Sequence, residues 1–91
     1  MRNADLIENF LNGHDEGSGS NLRIDGNKLV NYETVIAQRV SGGVVINTTY
    51  YSQTTARHQS KLKREAHNPI FVDGIRRGAF DLSYAAFATA N

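Results

Sequence analysis

Ninety-one residues suffice for one domain with a thin core, since small domains bury a smaller share of their surface. No cysteine is present, which excludes disulfides and thiolate metal sites. Ten basic against nine acidic residues leave a net charge of +1, so affinity for a polyanion has to come from how charges are placed rather than from their sum.

The placement is uneven. Arg57, Lys61, Lys63 and Arg64 crowd residues 57–64 with no acid among them, whereas Asp5, Glu8, Asp15, Glu16, Asp25 and Glu33 lie mostly in the first third. No apolar run approaches the roughly 20 residues that a membrane span needs. The opening residues lack the apolar stretch of a signal peptide, which leads us to expect an unprocessed cytoplasmic protein of one domain, 1–91.

In chain order, residues 3–12 predict a helix with Asn3 as N-cap, Asp5 in the first turn and Gly13 as the stop. Leu6, Ile7, Phe10 and Leu11 form its apolar face. Residues 13–21, rich in glycine and serine, read as a flexible polar linker. His14, Asp15 and Glu16 are adjacent on that linker, a poor arrangement for converging on one ion, and no metal or cofactor is expected.

Strands follow. Leu22-Arg23-Ile24 alternates, Asp25-Gly26-Asn27 supplies a turn, and Lys28 to Tyr32 and Glu33 to Val40 continue in β-branched residues. Ser41-Gly42-Gly43 turns into Val44 to Tyr51. For this hairpin a three-residue loop is preferred, because it puts Ile36, Val40, Val44 and Ile46 on one face. Tyr50 and Tyr51 then point to opposite sides, one into the core and one to the surface.

Residues 54–66 predict a second helix, with Ser52, Thr54 and Thr55 as possible caps, an inner stripe of Ala56, Gln59, Leu62 and Ala66, and a stop at Asn68-Pro69. Arg57, Lys61 and Arg64 share its outer face, flanked by His58 and Lys63. Ile70 to Val72 reads as a short final strand. Leu82 to Ala90 reads as a closing helix capped by Asp81 or Ser83, with Phe80, Tyr84 and Phe87 on one face.

The basic row suggests contact with phosphates, helped by Arg76 and Arg77, by hydroxyls near Thr54 at the helix start, and by Tyr51 as a stacking surface. A solvated helix face or an acidic protein partner are the alternatives. His58 has no fixed nucleophile or orienting carboxylate beside it, and a histidine bonded to backbone on the sheet side is the expected state. Gly17-Ser18-Gly19 lacks the strand-to-helix setting of a phosphate loop, and no HExxH or nucleophile elbow occurs, so no enzyme activity is expected.

The runs Asn31 to Ala37 and Asn47 to Gln59 carry a tyrosine, serine, any, threonine, threonine, any, any, histidine, glutamine signature after a hairpin. In this the chain resembles small phage and prophage proteins. The resemblance implies a mobile-element origin and, for proteins of that kind, binding that inhibits or redirects host machinery such as CRISPR effectors. The order helix, three strands, helix is also similar to that of double-stranded-RNA-binding domains, although Thr54-Thr55-Ala56-Arg57 stands where their lysine cluster would be.

These observations lead to an α+β fold: an antiparallel sheet of three or four strands packed against one or two helices. The expected function is a non-enzymatic module contacting nucleic acid or a nucleoprotein complex through Tyr51, Thr54, Arg57, His58, Lys61, Lys63, Arg64, Arg76 and Arg77. The alternatives are a protein-directed inhibitor of a host defence system and an assembly protein joined through its aromatic tail.

Overall fold

The computed structural model describes residues 1–85. Its elements are α1 Asn3–Leu11, β1 Glu16–Ser18, β2 Leu22–Asp25, β3 Lys28–Asn31, β4 Thr34–Val40, β5 Gly43–Asn47, α2 Gln53–Glu65 and β6 Pro69–Val72. The strands join in chain order into one sheet. β1 to β5 form an antiparallel meander, and β6 lies parallel to β5.

The class is α+β, but the sheet is larger than the sequence suggests. It has six strands rather than three or four, and it is mixed rather than purely antiparallel. The parallel pair follows from α2. A helical crossover returns the chain to the end of the sheet from which β5 started, so the next strand runs in the same direction.

The sixth strand was hidden in the glycine-rich stretch expected to be a linker. Gly17 sits opposite Ile24, and a Cβ there would come 2.8 Å from Leu6 Cδ1. A side chain there would have to displace the end of Leu6, so the glycine serves the packing of β1 under α1. Asn3 is likewise used differently from expected. The N-cap position falls on Arg2, without a side-chain bond, while Asn3 Oδ1 accepts from the Ser20 amide and holds the β1–β2 turn. Gly13, at φ 97°, does follow the end of α1.

Both faces of the sheet are covered. On one, Leu6, Ile7 and Phe10 of α1 and Leu62 of α2 pack on Leu22, Ile24, Leu29, Ile36, Ala37, Val44 and Ile46. On the other, Val30, Val35 and Val45 meet Leu82 and Ala85 of the C-terminal segment. At about 1.5–3 kcal/mol for each fully buried large aliphatic or aromatic side chain, the first face dominates the stability.

The second face is fastened by polar side chains. The Gln38 carboxamide donates to Asp81 Oδ1 and accepts from the Leu82 amide. The Thr34 hydroxyl accepts from the Gly78 amide, and Lys28 Nζ lies 3.9 Å from the centre of the Phe80 ring. The expected helix from Leu82 to Ala90 is described only at its start, where Asp81 Oδ1 accepts from the Ser83 amide; Phe87 and the remainder lie outside the described residues.

The β4–β5 register differs from the preferred one. Val40 pairs with Gly43 across a two-residue turn, Ser41-Gly42, in which Gly42 takes φ 89°. Val40 therefore faces the C-terminal segment and not the helices. The apolar face is recovered by a bulge in β4: Leu29 pairs with Ala37 and Val30 with Val35, so Ile36 is the extra residue and joins Ala37 in the helix-side core. The continuous strand expected through Tyr32 and Glu33 breaks there into a tight turn, with Tyr32 at φ 54°.

Candidate nucleic-acid interface

The segment from Asn47 to Gln59 is a polar joint between sheet, helix and C-terminal segment. Asn47 is wholly buried. Its amide donates to the Val35 carbonyl at 3.2 Å and to the Tyr51 hydroxyl at 2.8 Å, and its Oδ1 accepts from the Thr49 amide. The Tyr51 hydroxyl donates onward to the Ile75 carbonyl at 2.6 Å, and Thr49 Oγ1 accepts from the Ile75 amide. Ser52 caps α2, its Oγ accepting from the Thr55 amide at 3.2 Å. Gln59 donates to the carbonyls of Asn47 and Thr49, each at 2.8 Å.

Two further residues of the signature reach sideways. The Thr55 hydroxyl donates to Asn31 Oδ1 at 2.5 Å, and His58 Nε2 lies 3.3 Å from Asn21 Oδ1. Asn21 Oδ1 also receives the amides of Asn3 and Asn31, which draws α1, β3 and α2 onto one atom. An acceptor at Nε2 fixes the Nε2–H tautomer of His58, and burial pushes its pKa below the ordinary histidine value. The partner is thus a side chain rather than the expected backbone group. Both residues are buried, so neither the His58 ring nor the Thr55 hydroxyl belongs to an outer contact face.

With the inner positions of α2 taken by Thr55, His58, Gln59 and Leu62, helical geometry sends Gln53, Arg57, Ser60 and Arg64 outward as one row. Lys61 and Lys63 flank the row on either side. The expected inner stripe is therefore shifted: Ala56 and Ala66 are only half-buried, at its margins. Thr54 is exposed at the start of the helix.

The charges on this row are not equivalent. Lys61 Nζ meets Glu65 Oε2 at 2.7 Å, and Arg64 reaches the same oxygen only at 4.0 Å. Arg57 and Lys63 make no ion pair among the described residues. An exposed i, i+4 pair contributes about 0.3–0.5 kcal/mol, too little to immobilise Lys61 against a competing anion.

The remaining residues of the expected site divide. Arg77 is held at the start of α2, its guanidinium 5.6 Å from the Tyr51 ring centre and donating to the Tyr51 carbonyl at 2.9 Å. Arg76 is exposed beside it. Tyr51 is half-buried by the bonds just described, while its neighbour Tyr50 is 72% exposed. The structure thus brings Arg57, Thr54, Tyr51 and Arg77 to the N-terminal end of α2, with Lys63 and Arg64 at its other end.

Sequence reasoning missed two cationic residues with structural work. Arg39 donates to the carbonyls of Phe10, His14 and Gly26 and stacks 4.8 Å from the Phe10 ring centre, closing the C-terminus of α1. Lys28 sits on Phe80. Neither lies in a basic run, and only their strand positions opposite α1 and the C-terminal segment, invisible without the register, give them away.

Residues 7–75 match the model of a family described as a family of unknown function, DUF8033. The chain belongs to that family. The matched stretch holds both core layers' strands and the joint and ends just before Arg76 and Arg77. No curated protein and no solved structure shows significant similarity.

Proposed function

We propose that the chain is a non-enzymatic accessory binding module of phage type that contacts nucleic acid or a nucleoprotein complex through the outer row of α2, working in the cytoplasm of its host. One observation carries this reading: among the described residues every buried side-chain polar atom has a partner, while Arg57 and Lys63 make no ion pair there. Side chains already bonded inward hold the helix in place, and the exposure of Arg57 and Lys63 on its outer side supports contact with phosphates.

Binding of a labelled oligonucleotide across a salt series tests it. Each phosphate contact contributes about 0.7–0.9 to the slope of log affinity against log salt. The double variant Arg57→Glu with Lys61→Glu is expected to flatten that slope and weaken binding. Affinity indifferent both to salt and to the double variant overturns the proposal.

A second reading, a protein-directed inhibitor of a host defence complex, draws support from exposed aromatic surface. Phe71 is 53% exposed on the edge strand β6, with Phe80 at 49% and Tyr84 at 56%. An edge strand with an exposed aromatic residue is a template for strand addition. This reading expects a host protein that stays bound after nuclease treatment and is lost with Phe71→Ser; the nucleic-acid reading expects nuclease to release whatever is captured.

A further inference from the structure

Tyr32 is strained without any packing reason. A bulky residue at φ 54° is unfavourable, and glycine or asparagine would make the two-residue turn between β3 and β4 at less cost. The conformation is nevertheless fixed. Arg23 donates to the Tyr32 carbonyl at 2.9 Å, the Tyr32 amide donates to the Asn21 carbonyl at 3.0 Å, and the Asn21 amide donates to the Tyr32 hydroxyl at 3.4 Å. Two of these bonds fix the backbone of the turn and the third reaches the ring hydroxyl, in a residue that is 60% exposed. Strain that orients an exposed aromatic ring points to use of that ring.

Two clefts open on either side of the turn. One, of about 160 Å³, lies between Tyr32 and Glu33 and the pair Tyr51 and Arg77. The other, of about 300 Å³, runs from Tyr32 and Glu33 along residues 18–23. The first is smaller than the ~300–1,000 Å³ of pockets that enclose a whole small molecule, so it takes one ring system and leaves the rest of its bearer outside. Its chemistry is aromatic with one guanidinium already stacked on a tyrosine. Glu33, whose carboxylate makes no bond among the described residues, disfavours a phosphate inside it.

We propose that this cleft receives an unstacked base of single-stranded nucleic acid, Tyr32 and Arg77 supplying the stacking surfaces, while the strand's phosphates run outside toward Arg57. The inference rests on the nucleic-acid reading above and narrows it from any polyanion to a strand with accessible base faces. A duplex, whose bases are stacked on each other, does not satisfy it.

Fluorescence anisotropy on the whole chain tests it with three labelled probes of equal length: a mixed-sequence single strand, its abasic counterpart of the same charge, and the duplex. The base-bearing strand is expected to bind about tenfold tighter than the abasic one, the scale of one stacked base. Tyr32→Asn, which suits a left-handed turn, is expected to erase that difference while the thermal melt shows the chain still folded. Tyr32→Phe is expected to preserve it. Equal, salt-dependent affinity for base-bearing and abasic strands overturns this inference and leaves the phosphate reading standing, as does a duplex bound as tightly as the single strand. No salt-dependent binding to any probe overturns both.

Discussion

The two sides of α2 are made of similar residues and do opposite things. Thr55, His58 and Gln59 face inward, and each has a named partner on another element. Gln53, Arg57, Ser60 and Arg64 face outward as one exposed row. Polarity alone therefore does not mark a surface in this chain. Around its joint, interior order comes from hydrogen bonds, with Leu62 as the one aliphatic side chain that α2 buries.

The largest expected effect sharpens that point. Leu62 is fully buried among Leu6, Ile7 and the helix-side strands. Leu62→Ala should lower the unfolding free energy by about 2–5 kcal/mol, through lost transfer energy and the cavity left behind. A urea titration measures it, and a loss near zero would mean that α2 is held by its polar bonds alone.

Next comes the polar half of the inner side. Gln59→Met keeps the side-chain volume but strands the carbonyls of Asn47 and Thr49, which the carboxamide now satisfies. The expected loss is about 1–3 kcal/mol, the scale of leaving buried acceptors without donors. The same titration checks it. A neutral result would place those carbonyls in contact with water and reduce the joint to packing.

The sequence made part of this arrangement legible. Both helices, the turn at Gly26 and the hairpin at Gly42 were visible because helix periodicity, β-branched runs and turn residues agree there. β1 was not, because a three-residue edge strand of Glu16, Gly17 and Ser18 carries no apolar signal and its glycine reads as flexibility. The register of β4 on β5 was missed because the bulge at Ile36 reverses the side-chain parity that any alternation argument assumes. In the candidate site, spacing alone put Arg57, Lys61 and Arg64 on one outer face; Arg57 and Arg64 stand there, whereas Lys61 flanks the row, half-buried and paired with Glu65. His58, expected among the contact residues, and Thr55, expected as a possible cap, instead bond Asn21 and Asn31, which are 37 and 24 residues away in sequence. Tyr32, the strained residue, had no local mark.

The pH dependence separates the joint from the C-terminal fastening. Burial lowers the His58 pKa from its ordinary 6.5, so an unfolded chain takes up that proton more readily than the folded one. Stability from this group is complete above pH 6.5 and falls as pH drops from there toward the lowered folded pKa. Asp81 acts further down. The Ser83 amide, then the Gln38 carboxamide, then the Ser83 hydroxyl hold its carboxyl at about 2 rather than 3.8, against a small desolvation penalty and with help from Lys28. Its contribution is present above pH 3.8 and is lost as pH falls toward 2. His58→Gln should remove the upper step from a stability-against-pH curve and leave the lower one. A curve unchanged by that substitution would detach the imidazole from the joint.

The outer row is where the smallest change in stability is expected, and that smallness is informative. Arg57→Ala removes an exposed side chain with no ion pair among the described residues, and Arg64→Ala removes one that only grazes Glu65. Alanine is the better helix former, so each should change the unfolding free energy by no more than about 0.5 kcal/mol, in either direction. Lys61→Ala should cost about 0.3–0.5 kcal/mol by removing the pair with Glu65, a deficit that shrinks on adding salt because salt screens the same pair in the parent chain. A thermal melt at two ionic strengths is the measurement. If removing Arg57 or Arg64 cost as much as Gln59→Met, those arginines would be part of the fold, and the contrast between the two sides of the helix would fail. If the cost is negligible, those arginines belong to the surface of the helix and not to the fold, as the phosphate contact proposed above requires.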